Sequence, residues 1–550
     1  MFGRSFRPRA SRQDVTAGVV LGVQSVPDGL ATGLLAGLNP MAGLYGYMVG
    51  TATGAFLTSS AFMAVQGTGA MAMVIADVPG LRGDDASRAL ATLSLLTGAA
   101  MLVAGLLRLG SVLRFVSNAV MVGFINAVGV NIVLGQLANL TGYSAEGSNR
   151  VVRALGTVLR PDRLNGPTLA VGLATIALIV LLDRTRLGAT GLVVAVFATS
   201  AAAYIGNWSQ VATLSDLGIV LDSLPTPELP LLRLIPALIL PAVALAFVGL
   251  VQGAGISASF PNPDGSYPDA SRDFTGQGAA NVAAGVLQGM PVGGSVSASA
   301  LNKEAGAKSR LSLFVAAIVM GVVIVAFGGV VGNIAMPALA GLLMLIGIRT
   351  VKPANLRSVW MTGMMQRVVM AVTFGLTILL PLQYAVLIGV GLSIVLHVVR
   401  QSNKVTLRRQ TLDEDGQLTE VDPPTVLPGG EVVVLQPYGS LFFAAAPMIE
   451  AMLPKVDAGS SGSVVILRLR GRTDFGTTFM DVLRRYAITL TAADSKLKLV
   501  SVSDRVFEQL EIAGVTDVIG ADDVYLGDER VGATLSLAYG DALEWVGSQG

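Results

Sequence analysis

From residue 14 to about residue 400 the chain is a run of apolar stretches, with its charges held in the connections between them. A spanning helix needs about 20 mainly apolar residues. Hydrocarbon offers no water to an unpaired amide, so stretches of this kind are restricted to hydrogen-bonded membrane helices. Candidate spans are Val15–Ala36, Met41–Leu57, Ala89–Leu107, Val116–Leu137, Thr168–Leu182, Gly191–Ile205, Leu234–Ala254, Gly276–Met290, Leu311–Gly328, Met336–Ile348, Val368–Leu380 and Tyr384–Val399. Two further segments, Ala61–Ala76 and Val292–Ala305, are too short and Gly-rich for an ordinary span. Counted as half-spans, they bring the total to about fourteen crossings.

Charged residues make up 13% of the chain, against roughly 25% in soluble domains. The deficit lies before residue 400, and the tail has ordinary charge. This reads as an α-helical polytopic membrane domain followed by a soluble one. A net charge of +1 and the lack of a basic stripe argue against nucleic-acid binding. Zero Cys and a single His, His397, exclude thiolate and His-cluster metal sites. No P-loop or nucleophile constellation is visible, so neither an enzyme nor a primary pump is expected, and no cofactor.

Lys and Arg set the orientation. Arg4, Arg7, Arg9 and Arg12 place the N-terminus in the cytoplasm, and the loops carrying Arg108, Arg184, Lys303, Lys308, Arg349 and Arg367 fall on the same side. One connection disagrees. SNRVVRALGTVLRPDRLNGP, with Arg150, Arg153, Arg160 and Arg163, counts as external and reads as an interfacial amphipathic helix. An even number of spans puts the tail in the cytoplasm. Trp208 and Trp360 are expected in loops near span ends.

The polar residues within the apolar stretches carry the functional signal. AFMAVQGTGAMAMVI reads as an extended piece ending near Gln66, then Gly67, then a helix past Thr68 and Gly69. MPVGGSVSASALNKEAG reads likewise: extended from Pro291, broken at Gly293 and Gly294, helical from about Ser295 through Val296 and Ser297. Each lies third in its half of the span count, the pattern of a site between inverted repeats. A helix beginning inside the membrane exposes unpaired N–H groups and partial positive charge. Two such ends bind an anion without Lys or Arg. The competing interpretation is a pair of kinked packing helices.

Gln24 and Asp28 interrupt the first span four residues apart, on one helix face. A carboxylate at mid-membrane costs about 2.5–3.5 kcal/mol on the insertion scale, and one stripped of water can take up a proton at neutral pH. Asp28 is therefore the candidate proton-coupling residue. Alternatively Pro27 ends the helix and Asp28 caps the next turn. Gln252, in FVGLVQGAGIS, is a further buried polar group that binds ligand or bonds a neighbouring helix.

GLATGLLAGLNPMAGLYG, VMVGFINAVGVNIVLGQLANLTG and QGAANVAAGVLQGMPVGGSVSASALNKEAGAKSRLS resemble the first-span, fifth-span and ninth-to-tenth-span blocks of the sulfate permease (SulP, solute carrier family 26) anion transporters. The resemblance covers most of residues 14–400. It implies fourteen spans in two inverted repeats of seven (about 14–206 and 230–400), a core and a gate domain, a site between the third and tenth spans, and a homodimer. Three positions depart from the family. Asp28 stands where the family has Gln; Gln252 replaces an acidic sodium ligand of some bacterial members; and Ala298 replaces an Arg of many animal members. The resemblance then implies proton rather than sodium coupling, with anion binding on helix ends and hydroxyls.

After residue 400 comes a stretch expected to be a polar linker (401–430). Then EVVVLQPYGSLFFAAAPMIEAMLPKV reads strand, turn, strand, helix, while SVVILRLRG and KLKLVSVS read as buried strands between helices. This is a small cytosolic α/β domain, 431–550. YGSLFFAAA resembles the start of the STAS domain that closes these transporters. Where regulatory STAS proteins carry a phosphorylatable D-S-x-G loop, this chain has TDFGTTF, with Asp474 kept and Gly476 in the serine position. A structural role in folding, trafficking or dimer contact is expected for the domain. The expected function is a proton-coupled secondary transporter of a small anion (a C4-dicarboxylate such as fumarate, sulfate or bicarbonate) in the inner (plasma) membrane, working by elevator-like alternating access. Substrate would contact Gln24, Gln66, Gly67, Thr68, Gly69, Gln252, Gly294, Ser295, Val296 and Ser297. The alternatives are an uncoupled channel or exchanger of the same fold, and a STAS-linked membrane sensor.

Overall fold

The computed structural model describes residues 11–549 except 82, 84, 111–116, 148, 186, 188–189, 218–222, 383, 386–387, 390, 393–394, 397–404, 413–417, 440, 442–444, 472–473 and 531. The chain divides at residues 393/394 into two compact units.

The first unit is helical. Seven of its described helical stretches are long and apolar enough to cross a membrane, and Gly191–Ile205 and Met364–Leu379 are shorter apolar helices. In chain order it comprises α1 (Arg12–Leu35), α2 (Pro40–Leu57), β1 (Ala64–Gln66), α3 (Gly69–Ala76), α4 (Ala86–Leu106), α5 (Asn118–Thr141), α6 (Arg150–Val158), α7 (Gly166–Asp183) and α8 (Gly191–Ile205). The second half holds α9 (Ile235–Ser259), α10 (Ala270–Val286), β2 (Gly293–Ser295), α11 (Val296–Glu304), α12 (Leu311–Gly332), α13 (Met336–Thr350), α14 (Pro353–Thr362) and α15 (Met364–Leu379).

The packing repeats from one half to the other, as two inverted repeats require. α4 packs on α9 and α10, while its counterpart α12 packs on α1 and α2, the counterparts of α9 and α10. These elements, with the two strand-helix breaks, form the core domain. α5 packs on α13 and α15, and α13 on α7, which makes a separate gate bundle. Small residues permit the tight crossings. A Cβ on Gly98 of α4 would lie 2.7 Å from the Gly278 carbonyl oxygen of α10, and one on Gly278 would lie 2.9 Å from that of Gly98.

Several expectations need correction. Trp360 lies within α14, not in a loop. The ninth span starts at Ala270 rather than Gly276, because Asp269 caps it and the buried Asp273 of its first turn accepts from Ser59 and Ser257. α1 runs unbroken through Pro27, so Asp28 is not a cap. The basic connection forms a helix, α6, with Ala154 and Thr157 buried and the apolar Val152, Leu155 and Val158 exposed. His397, and much of the last span expected at Tyr384–Val399, lie outside the described residues.

Among its described residues the second unit holds a six-stranded mixed sheet of order β4-β3-β5-β6-β7-β8, formed by β3 (Thr406–Leu412), β4 (Leu418–Val421), β5 (Val432–Tyr438), β6 (Val464–Arg468), β7 (Lys496–Val502) and β8 (Val524–Leu526). The stretch expected as a linker thus supplies two antiparallel strands; β5 through β8 are parallel. The second strand expected after the turn falls mostly on residues 440 and 442–444, outside the described set. Successive strand residues point to opposite faces. Val433, Leu435, Val465 and Leu467 pack with Phe479 and Leu483 of α17 (Thr477–Ala492), which follows α16 (Ala446–Met452). α18 (Asp504–Ile512) and α19 (Thr516–Ile519) share this face through Leu510 and Val518. Val434, Ile466 and Val500 pack with Ala538 and Ala542 of α20 (Ala533–Gln549) on the other.

Lys498 of β7 donates to Asp523 Oδ1 at 2.6 Å and to the Tyr525 hydroxyl at 2.9 Å. Burial pulls the ammonium's pKa down, but these partners outweigh it and hold the pKa above the ordinary lysine value. The lysine's contribution to stability is therefore fully present just below about pH 10.4, its unfolded value, and is lost as pH rises through the higher folded value. Asp523→Ala leaves the ammonium uncompensated, and we expect it to destabilise this unit by about 3–5 kcal/mol. Thermal unfolding of the purified protein at neutral pH measures that loss.

Candidate functional site

The two interrupted segments meet. β1 and β2 pair antiparallel, with Ala64 opposite Ser295, Val65 opposite Gly294 and Gln66 opposite Gly293. α3 and α11 leave this strand pair in opposite directions, so each has its N-terminus at the pair. Thr68 caps α3, its hydroxyl accepting from Met71 N–H at 3.3 Å. Ser295 caps α11, accepting from Ala298 N–H at 3.4 Å. Each cap satisfies one donor and leaves earlier amides of its first turn without an intrahelical acceptor. Partial positive charge from both helices therefore converges on one point of the core. Thr68 and Gly69 are partly exposed there, and Val296 and Ser297 are exposed.

The strands lie in grooves lined by glycine. A Cβ on Gly294 would sit 2.7 Å from Gly253 Cα of α9, and one on Gly50 of α2 would sit 2.6 Å from the Val65 carbonyl oxygen. Backbone contacts this close leave no room for side chains. A polar stripe on α10 pins β2. Asp273, Gln277 and Asn281 recur every four residues on one face, and all are fully buried. Gln277 Oε1 accepts from Gly294 N–H at 2.9 Å. Asn281 brackets Val292, donating to its carbonyl at 2.6 Å and accepting its N–H at 2.8 Å. Sequence reasoning missed this stripe, although its spacing was visible.

Asp28 is half-buried on α1 and accepts from the Tyr47 hydroxyl at 3.1 Å. Tyr47 also shares a hydrogen bond with Thr32 at 3.0 Å. A Cβ on Gly67 would lie 3.0 Å from the Tyr47 ring and 3.4 Å from Thr32 Cγ2. The carboxylate is thus linked through Tyr47 to the first break. Nothing in the local sequence marked Tyr47.

Gln66, expected to contact substrate, ends β1, and its Oε1 has no hydrogen-bond partner among the described residues. It is fully buried, and its Nε2 donates to Ser25 at 3.0 Å and Thr51 at 3.1 Å, tying the break to α1 and α2. Gln24 and Gln252 are partly exposed. Their amide oxygens are buried and have no hydrogen-bond partner among the described residues. Gln252 lines the seam where α9 of the core faces Phe124 of α5 and Thr373 of α15 in the gate.

The model of the Sulfate permease family matches residues 12–373, about two-thirds of the chain. The chain belongs to the sulfate permease family. A STAS domain follows, matched over residues 425–531. Among relatives, the permease is 27% identical over 541 residues to a protein named probable sulfate transporter of Mycobacterium tuberculosis (strain CDC 1551 / Oshkosh), covering 95% of each chain. It is 25% identical over 457 residues to the bicarbonate transporter BicA of a Picosynechococcus strain, covering 80% of each. Among solved structures it shares its fold with murine Solute Carrier 26 family member A9 in the inward-facing state, with a TM-score of 0.83, 18% identity, and coverage of 97% of this chain and 92% of that one.

Proposed function

We propose that this permease is a secondary active transporter of a small anion, coupled to protons, in which the core carries the strand pair and its bound anion past the gate. The observation that carries the reading is the β1–β2 pairing, which brings two helix N-termini to one point in a membrane domain. An anion at that point gains from both dipoles and from amides at Thr68–Gly69 and Ser295–Ser297. Hydroxyl and amide groups of Thr68, Ser297, Gln24 and Gln252 complete the contacts. The names of the relatives support sulfate or bicarbonate as substrate classes, and C4-dicarboxylates fit the same positive site. Lys and Arg in the loops support cytoplasmic termini and an inner-membrane location, and family resemblance supports a homodimer.

Purified protein in liposomes tests this directly. The panel is sulfate, bicarbonate, fumarate, succinate and chloride, each with and without an inward proton gradient. We expect one of these anions to accumulate above equilibrium only with the gradient. Equilibration indifferent to the gradient would point instead to an uncoupled channel or exchanger.

Asp28 is the proton-carrying group in this reading. Asp28→Asn keeps an oxygen that accepts from Tyr47, so the protein is expected to fold with little change in thermal stability. Its anion flux is expected to lose most of its dependence on the proton gradient, at least tenfold between pH 5 and 8. Unchanged gradient dependence would remove Asp28 from the role.

A further inference from the structure

Arg150 opens α6, the basic segment whose position breaks the charge rule. Its guanidinium grips Asp77, at the C-terminal end of α3, through Nη2 to Oδ1 at 2.6 Å and Nη1 to Oδ2 at 3.3 Å. The Leu382 backbone N–H, just past α15, donates to the same Oδ2 at 3.0 Å. A carboxylate of the core is thus held by three donors, two from α6, which packs on the gate helix α5, and one from just beyond the gate helix α15. The pair is largely withdrawn from solvent, at 15% and 17% exposed. Beside it a recess of about 200 Å³ separates Leu35 and Met73 of the core from Gln136 of the gate. Arg153 and Ser144 line the same recess. Arg153 makes no ion pair among the described residues.

A planar guanidinium with an adjacent amide matches any carboxylate-like oxyanion, not one side chain alone. The transport reading, on which this inference rests, has the core move relative to the gate. Asp77 then leaves, and the Arg150 fork and the Leu382 amide face the opening mouth without their partner, free to take another oxyanion. We propose that Arg150, Arg153 and the Leu382 amide form a receiving site for an oxyanion at the outer mouth, and that Asp77 fills it as a built-in surrogate whenever the mouth is shut. This gives the four external arginines a use. They raise the local anion concentration where the anion must enter.

The chain contains no cysteine, so Ser144→Cys provides one exposed thiol at the recess. Its labelling rate by a membrane-impermeant maleimide, in right-side-out vesicles, reads site occupancy without requiring transport. Sulfate is the probe, with chloride as the spherical comparison. We expect sulfate to slow labelling more than chloride does. Asp77→Asn, which weakens the internal competitor, is expected to lower the half-protecting sulfate concentration about tenfold. Arg150→Gln is expected to raise it at least tenfold, and Arg150→Lys, which keeps charge but not the fork, several-fold.

Opposite signs from the two partners are the signature. A plain strut or latch moves both variants in the same direction, and that result overturns the proposal, as does protection absent from the Ser144→Cys parent and from Asp77→Asn alike. Should Arg150→Gln fail to fold, Arg153→Gln must weaken protection instead. Sulfate protection without uptake of any anion would leave the receiving site standing and sink the transporter reading. Uptake without protection would do the reverse.

Discussion

Gly294→Val is expected to reduce anion binding and uptake at least 100-fold, a loss of about 2.7 kcal/mol or more. Any Cβ at this position meets Gly253 Cα at 2.7 Å and Gly253 N at 3.0 Å. Both are backbone atoms of α9, which is itself packed against α4, so the neighbour cannot yield as a flexible side chain would. The valine must push β2 away from α9. That movement strains the Gly294 N–H bond to Gln277 and the pairing with Val65, and with them the alignment of the two helix ends. Gly67→Ala is a graded comparison. Its Cβ meets the Met290 methyl and the Tyr47 ring edge at 3.0 Å, which are the ends of side chains. We expect that variant to fold and to lose a smaller part of its flux through displacement of Tyr47 from Asp28. If Gly294→Val is poorly folded, Gly294→Ala with affinity measured on the monodisperse fraction answers the same question. Wild-type affinity in a folded Gly294 variant would show that the anion does not depend on the strand crossing.

Asp273→Leu is expected to destabilise the membrane unit by about 3–5 kcal/mol, the cost of stranding several buried donors. The carboxylate accepts from the Ser59 N–H at 2.5 Å, the Ser59 hydroxyl at 2.7 Å and the Ser257 hydroxyl at 2.6 Å, with no exposure to solvent. It therefore ties α10 to α9 and to the approach to β1. Leucine fills the volume but accepts nothing, while Asp273→Asn retains one acceptor and should fall between. Thermal unfolding in detergent measures the series, and equal stability of leucine and wild type would dismiss the carboxylate as a structural tie. Since Gln277 and Asn281 extend the same stripe to β2, a loosened α10 should also weaken anion binding.

Local chemistry explains what was readable. Gly67, Gly293 and Gly294 favour a break in regular structure, and hydroxyls at Thr68 and Ser295 favour a helix start, so the positions of both breaks were legible to within a residue or two. The apolar lengths placed most spans within a few residues. The stretch 401–430 misled because its acidic and proline-rich composition resembles a linker, whereas an edge strand tolerates the same residues. Trp360 misled because a loop aromatic and an interfacial-helix aromatic look alike in sequence. The spacing of Asp273, Gln277 and Asn281 was available but carried no sign of what the stripe would hold.

The amino-acid order alone determined that this chain would cross a membrane many times, where two of those crossings would be interrupted, and that an acidic group would sit within the first. Only the tertiary structure decided that Gln66 turns inward to Ser25 and Thr51 while Asp28 engages Tyr47. It alone decided that Val65 pairs with Gly294 across more than two hundred residues, and that Asp77 closes on Arg150. Helix breaks are encoded by the residues at the break, but a hydrogen-bond partner distant in sequence is selected by the packing of whole helices, which no local pattern specifies.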